Sequence, residues 1–286
     1  MSKRTDIAII GGGPAGLSAA INAVARGKSV QLMSSVGNNL EKAENVDNYL
    51  GFYKISGTEL MNKFEEHARA LGVSAMKGRV SNIMPLGDHF LINFGGEITE
   101  STTVILAIGV AKARQIPGEA DLLGRGVSYC ATCDGMLYRG KKVVVWGMAQ
   151  DAIEETNFLN GIGVDVTLIA RGSRSSELKA DIPFISGAIG EIIGKDRVTA
   201  VTVGQDTIEV QGVFILRSSI APSSLVPGLE TQNGYIKVTN KMETNIPGIF
   251  AAGDCTGTPL QISKATGEGL IAAQQAARYI DASQSK

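Results

Sequence analysis

Cys130 and Cys133 stand three positions apart in the run Cys130, Ala131, Thr132, Cys133, Asp134, Gly135. Cysteines at that separation can close a disulfide across the first turn of a helix with acceptable geometry. A helix N-terminus there favours thiolate, the reactive form of a cysteine. Asp134, next to the second sulfur, adds a proton source, and reducing a disulfide takes protons as well as electrons. The spacing predicts a dithiol/disulfide centre with Cys130, Cys133 and Asp134 as its catalytic candidates. Two blander readings compete with it. A tetrahedral zinc site wants four Cys or His ligands, and the rest of the chain offers Cys255, His67 and His89, with neither histidine in a spaced ligand motif. No metal is therefore expected. A pair of inert buried thiols would leave the neighbouring acid and the turn-forming residues without a purpose, whereas redox chemistry uses all three.

The elements that must position this centre belong to two nucleotide-binding patterns, one on each side of it. Asp6 to Ile10 predicts a buried strand, and Gly11, Gly12, Gly13, Pro14, Ala15, Gly16 open a helix of small and apolar residues reaching Ala25. Ser29 to Met33 predicts the next strand. This strand, turn, helix, strand context raises a bare GxGxxG pattern above its high false-positive rate. Gly11 allows the tight turn, Gly13 lets the backbone approach a pyrophosphate, and Gly16 lets helix and strand pack closely. The phosphates would sit at the positive end of the helix. One expected residue is missing: the second strand ends Met33, Ser34, Ser35, without the acid that usually meets a ribose hydroxyl. Ser34 is the weaker substitute.

Asn45 to Phe52 is a polar, aromatic loop. Thr58 to Leu71 carries apolar residues at helical spacing with Thr58 as N-cap, and His67 falls on its solvated face. Val80 to Met84, His89 to Phe94 and Glu97 to Thr99 predict a small antiparallel ribbon. Thr103 to Ile108 predicts a short strand closed by Gly109, which a return to the first sheet would bring near the cofactor.

After the cysteines the first module is repeated. Lys142 to Trp146 predicts a strand, Gly147, Met148, Ala149, Gln150, Asp151, Ala152 a turn, then come a helix to about Asn160 and a strand from Asp165 to Ile169. The repeat is damaged. Ala149 stands where a glycine would normally let the pyrophosphate approach. The strand continues Ala170, Arg171, Gly172, Ser173, Arg174, Ser175, Ser176, which leaves two arginines where a 2′-phosphate site needs clustered cations. Short strands follow, including Gly212 to Leu216. Ile249 to Asp254 then predicts a strand ending in a carboxylate. A buried acid needs a partner, which a ribityl hydroxyl or a pyrophosphate-bound water would supply; a helix N-cap is an equally good reading of Asp254, and the two are compatible. Gly267, Glu268, Gly269 lie in a helical stretch ending near Tyr279.

At 286 residues the chain suits about two domains. Its 27 basic and 28 acidic residues nearly cancel, so no general attraction to nucleic acid or membrane is implied. Three cysteines exclude a secreted disulfide framework, and a redox pair fits a reducing cytosol. The apolar run Ile7 to Ile10 is too short for a signal segment or a membrane span. A cytoplasmic protein is expected.

In order and spacing, the GGGPAG turn, the Cys130 to Gly135 motif and the Asn245 to Asp254 segment with its AAGD ending resemble, from end to end, the low-molecular-weight thioredoxin reductase family. The resemblance implies an α/β fold of two Rossmann-like, three-layer ββα domains. An FAD domain would be split in sequence over 1–112 and 234–286, around an inserted central domain, 113–233, that carries the cysteines. It also implies a homodimer. FAD would be held by Gly11, Gly13, Pro14, Ala15, Gly16, Asn48, Asp254, Gln261 and Ile262. Cys133 would face the flavin, Cys130 would attack thioredoxin's disulfide and Asp134 would supply the proton. Leu260 replaces the family's arginine ahead of Gln261.

The departures lie in the NADPH module. GMAQDA replaces GxGxxA, and ARGSRSS replaces HRRxxxR, keeping only Arg171 in a matching place. Together with Asn48, Tyr49, Leu50, Gly51, Phe52, Tyr53, that pattern resembles the ferredoxin-dependent flavin thioredoxin reductases. The resemblance implies ferredoxin as donor, FAD as relay and thioredoxin as acceptor, with a rotation between domains so that the cysteines can serve both flavin and protein substrate. A ferredoxin near −400 mV lies roughly 130 mV below a thioredoxin near −270 mV, about 6 kcal/mol downhill for two electrons. The alternatives are an NADPH-dependent thioredoxin reductase using Arg171 and Arg174, and a non-catalytic redox-sensing flavoprotein.

Overall fold

The apolar run Ile7, Ala8, Ile9 is completely buried, as a central parallel strand requires. In the computed structural model, which describes residues 4–35, 38, 40–110, 115–129, 131–148, 152–216 and 222–284 (of Cys133 and Gln284 the backbone only), this run is the middle of β1, Thr5–Ile10. Helix α1, Pro14–Val24, follows, then β2, Val30–Ser34, and helix α2, Gly57–Ala70. Strands β3, Ala75–Lys77, β4, Val80–Leu86, β5, His89–Phe94, and β6, Glu97–Leu106, complete this part.

Two expectations change here. The predicted strands Glu97 to Thr99 and Thr103 to Ile108 are one element, because β6 has different partners along its length. Residues 97–101 pair antiparallel with β5, while 101–106 pair parallel with β1, Ile7 facing Thr103 and Ile10 facing Leu106. The ribbon is therefore continuous with the nucleotide-type sheet. The N-cap of α2 is Ser56, whose hydroxyl accepts from the Glu59 N–H at 3.2 Å; the Thr58 hydroxyl instead donates to the Glu41 carbonyl. Cap and helix start are displaced by two residues because Ser56 satisfies a first-turn N–H that Thr58, already inside the helix, cannot reach.

The middle of the chain holds β7, Val127–Ser128, the single-turn helix α3, Ala131–Asp134, β8, Lys142–Gly147, helix α4, Ala152–Gly161, and β9, Asp165–Ala170. After them come β10, Phe184–Ser186, β11, Ile189–Gly194, β12, Val198–Val203, β13, Asp206–Glu209, and β14, Gly212–Leu216. One sheet is parallel in the order β10-β9-β8-β14-β7; β11, β12 and β13 form an antiparallel sheet. Val143, Val145, Leu159, Val166, Leu168 and Phe214 form the core beneath α4.

The chain then runs through α5, Pro222–Leu225, the hairpin β15, Thr231–Gln232, with β16, Tyr235–Ile236, the strand β17, Ile249–Ala251, and the long helix α6, Ile262–Gln284. Strand β17 lies beside β6, pairing parallel over Val104 to Leu106, so the end of the chain completes the first sheet, ordered β3-β2-β1-β6-β5-β4. Helices α1 and α6 pack through alanines: Ala19, Ala20 and Ala23 against Ala272, Ala273 and Ala276, all without exposed surface.

Contacts divide the chain into two units, Met1–Ala111 with Ala221–Lys286, and Lys112–Ile220. The resemblance implies a return to the first domain at 234; in the structure residues 222–233 already belong to it. Helix α5 packs on β4, and the Glu230 N–H donates to Asn245 Oδ1 at 2.9 Å, anchoring this stretch to the AAGD approach. Among the described residues no helix is long and apolar enough to cross a membrane.

Candidate functional site

In the first unit the glycine turn is built by close approach. Gly11 has φ +115°, and a Cβ there would lie 2.2 Å from the Ala107 carbonyl oxygen; a Cβ on Gly16 would lie 1.8 Å from the Gly11 oxygen. Gly13 differs: nothing lies within 4 Å of a Cβ built on it, so its side of the turn is open. Gly13 is the N-cap of α1 in extended conformation, Pro14 fills the first turn, and no side chain caps the helix. The first-turn N–H groups are thus left for a ligand, the arrangement that suits a pyrophosphate. Ala15 and Gly16 are buried beneath the turn.

Ser34 lies against the glycine turn. Its Oγ accepts from the Gly12 N–H at 3.2 Å and donates to the Ser35 carbonyl at 3.0 Å. Ser34 thereby steadies the turn. Gly109, with φ +66°, lies just past the end of β6.

Asn48 and Gln261, far apart in sequence, meet through a 2.8 Å hydrogen bond from Asn48 Nδ2 to Gln261 Oε1. Ile262 begins α6 one residue on. The loop holding Asn48 has its own order: Val46 and Ile55 bridge across it, and Tyr49 stacks at 6.1 Å on Phe52 and meets Phe64 edge-on at 5.5 Å. Val46, Ile55 and Leu60 form a small buried core beneath it.

Asp254 opens a short 3₁₀ turn, Asp254–Thr256, half-buried and with no side-chain hydrogen bond among the described residues. It is not a helix N-cap: that turn is capped by Gly253, and α6 starts only at Ile262. Burial raises the Asp254 carboxyl above its ordinary range; the Lys264 cation opposes this and the Glu268 charge reinforces it. An acid in that state is one that a ligand hydroxyl would satisfy.

Sequence reasoning missed the pair beside it. Lys264 Nζ donates to the Gly253 carbonyl at 2.9 Å, to Thr256 Oγ1 at 2.8 Å and to Glu268 Oε2 at 3.0 Å, and that carboxylate oxygen also accepts from the Gly253 N–H at 2.8 Å. The pair clamps the AAGD turn to α6. Its only signal was the i, i+4 spacing of Lys264 and Glu268, which many solvated helix faces share. Cys255 is buried, within 3.3 Å of the Leu106 and Ala252 carbonyls, and burial pushes its thiol up to about 12, so it is inert at neutral pH.

In the second unit, Cys130 and the Cys133 side chain lie outside the described residues, as does Ala149. The backbone of Cys133 belongs to α3. Asp134 Oδ2 accepts from Ser128 Oγ at 2.7 Å. Burial and, after it, the charge of Asp134 raise the nearby Tyr138 phenol, with Arg197 opposing. In the loop after β9, the Arg174 guanidinium donates to the carbonyls of Ile182 at 2.6 Å, Leu178 at 3.5 Å and Lys179. Arg171 is exposed. Among the described residues no group of three or more His, Cys, Asp or Glu could hold a metal ion.

Two Rossmann-like units, one with an open glycine turn and one with a CxxC motif at a single-turn helix, define an α/β disulfide-oxidoreductase fold. Residues 5–269 match the family model described as pyridine nucleotide-disulphide oxidoreductase. A thioredoxin reductase of Bacillus subtilis is 34% identical, over 98% of this chain and 96% of its own. A ferredoxin-flavin thioredoxin reductase of Clostridium acetobutylicum has a crystal structure that superposes with a TM-score of 0.89 at 42% identity, covering 99% of this chain and 100% of its own. An atypical thioredoxin reductase of Desulfovibrio vulgaris Hildenborough gives 0.72 at 32% identity, over 98% of both chains. The chain belongs to the pyridine nucleotide-disulphide oxidoreductases and, within them, to the thioredoxin reductase family. FAD is the cofactor of that family, and the open turn at Gly13 with the unpartnered acid at Asp254 fits it.

Proposed function

We propose that this chain is a flavin-dependent thioredoxin-disulfide reductase whose electrons come from reduced ferredoxin and leave through Cys130 and Cys133. The observation that carries the choice of donor is Arg174. Its guanidinium is committed to three backbone carbonyls of the segment it caps. Of the two arginines in the degraded module, only Arg171 is left for a 2′-phosphate, and a lone exposed arginine is a weak site for that group. The likeness to a ferredoxin-flavin thioredoxin reductase points the same way.

Bound FAD would supply a centre that takes electrons singly and passes them on in pairs. The residues proposed to hold it are Gly11, Gly13, Pro14, Ala15 and Gly16 at the pyrophosphate, with Ser34, Asn48, Gly109, Asp254, Gln261 and Ile262. Two electrons and two protons break the Cys130–Cys133 bond and leave two thiols. Cys130, as thiolate, attacks thioredoxin's disulfide, forming a mixed disulfide and releasing one thioredoxin thiol. Cys133 then attacks Cys130, re-forming the internal bond and freeing the second. In this reading Asp134, whose Oδ2 accepts from the Ser128 hydroxyl, supplies the proton. A homodimer belongs to the same reading, and light scattering of the purified protein tests it.

The donor is tested anaerobically through flavin absorbance. Reduced ferredoxin bleaches the flavin's visible band within seconds, on the order of enzyme turnover, and NADPH at the same concentration does not. Rapid bleaching by NADPH would reverse the choice. Bleaching without any gain of free thiols would leave a redox-sensing flavoprotein instead.

A further inference from the structure

The dithiol turn is too short to hold itself. Helix α3 has a single turn, Ala131–Asp134, and a helix of that length is unstable without tertiary support. Three carboxylates on its flanks supply it. Before the motif, the buried Tyr129 phenol donates to Glu119 Oε1 at 2.8 Å, and Glu119, 1% exposed, also accepts from the Ile116 N–H at 3.1 Å. At its end, Asp134 receives the Ser128 hydroxyl at 2.7 Å. At its start, the Ala131 N–H donates to Glu155 Oε2 at 3.0 Å, and Glu155 comes from the first turn of α4.

The last contact reaches nearest the chemistry. Ala131 has no exposed surface, so its N–H has no water to turn to and would be costly to leave unpaired. The peptide joining Cys130 to Ala131 is planar, which ties the direction of this N–H to the Cα of Cys130. Helix α4 is itself firmly seated: Ala152 and Leu159 are buried in the unit's core. A fixed oxygen on a fixed helix therefore holds the first N–H of α3, one peptide bond along the chain from Cys130.

We infer that Glu155 is a positioning residue for the Cys130/Cys133 pair, acting through its acceptor oxygen on the Ala131 N–H. Disulfides tolerate only a narrow range of Cα separations and Cβ directions. A first turn freed from its anchor presents the two sulfurs to one another less often, which lowers their effective concentration and disfavours the bond. Loss of the acceptor thus weakens the pair as a reductant. The inference rests on reading Cys130 and Cys133 as the redox pair, and says nothing of the electron donor.

The test needs neither ferredoxin nor thioredoxin. Wild type, Glu155→Ala and Glu155→Gln, each loaded with FAD as a check that the first unit is folded, are equilibrated in glutathione redox buffers and their dithiol fraction is measured by alkylation and mass spectrometry. In Glu155→Ala the equilibrium moves toward dithiol by about threefold to tenfold; Glu155→Gln, which keeps an acceptor oxygen, stays within twofold of wild type. An unchanged equilibrium in Glu155→Ala overturns the inference, and so does a Glu155→Gln shift as large as that of the alanine variant. A wild type that forms no internal disulfide at any buffer poise would instead remove the underlying redox reading.

Discussion

Asp254 is held half-buried with no side-chain hydrogen bond among the described residues, and burial lifts its carboxyl above the ordinary range. An acid with a raised folded-state pKa binds protons more readily in the native chain than in the unfolded one, so it costs stability once the pH passes the unfolded value near 3.9. The cost grows as pH rises through the folded value and then stays. Asp254→Asn removes it. Without FAD, the variant melts higher than wild type at pH 7.5, and the difference closes as the pH falls toward about 4. FAD binding moves the other way: a lost hydrogen bond to a charged group is worth roughly 1.5–3 kcal/mol, so affinity by isothermal calorimetry falls about tenfold to a hundredfold. Equal affinity would remove Asp254 from the cofactor site. The acid was visible in the sequence because it ends an apolar strand beside small residues. The clamp of Lys264 and Glu268 was not, since only the fold shows that the Gly253–Thr256 turn lies against that face of α6.

The loop from Asn45 to Ile55 shows what periodicity misses at the scale of an element. It has neither helical nor strand alternation, yet it is closed by the Val46–Ile55 bridge, by a 3.1 Å bond from the Lys54 N–H to Asp47 Oδ1, and by aromatic contacts with Phe64 of α2. The order comes from partners outside the window in which periodicity is read. The same holds for β6, whose apolar run is interrupted by polar Ser101 and Thr103; both are buried with their hydroxyls satisfied, Ser101 donating to the Thr103 carbonyl and Thr103 to the Asp6 carbonyl. The loop's base supports Asn48, which meets Gln261. Ile55→Ala, at a position 6% exposed, removes buried methyl groups at a cost of about 2–5 kcal/mol. Its thermal midpoint falls by several degrees, and FAD affinity falls less than in Asn48→Ala, because the first change loosens the support and the second deletes the contact. A larger affinity loss from Ile55→Ala would mean that the loop as a whole, and not Asn48, faces the cofactor.

At the scale of the whole molecule, the order of motifs carried the most information: glycine turn, paired cysteines, damaged second turn, AAGD segment. No single motif fixes a family, but their sequence does, because a domain split by an insertion must place its two halves on either side of the cysteines. The return falls earlier than the implied 234, because the hairpin pairing Gln232 with Tyr235 already lies within the first unit. The proposed relay predicts how the halves fail separately. Cys130→Ser leaves the glycine turn and Asp254 untouched, so the variant retains FAD with wild-type affinity and reduced ferredoxin still bleaches it. Thioredoxin thiols, counted with a chromogenic disulfide, then fail to appear, and the rate falls by at least a thousandfold, the scale of losing a nucleophile. Asp134→Asn sits between these extremes, slowing turnover by roughly tenfold to a thousandfold with FAD binding spared, the loss being steepest where proton supply limits the rate. Normal thioredoxin reduction by Cys130→Ser would show that electrons leave the first unit by a path that bypasses the sulfur pair, and the insertion would then need another purpose.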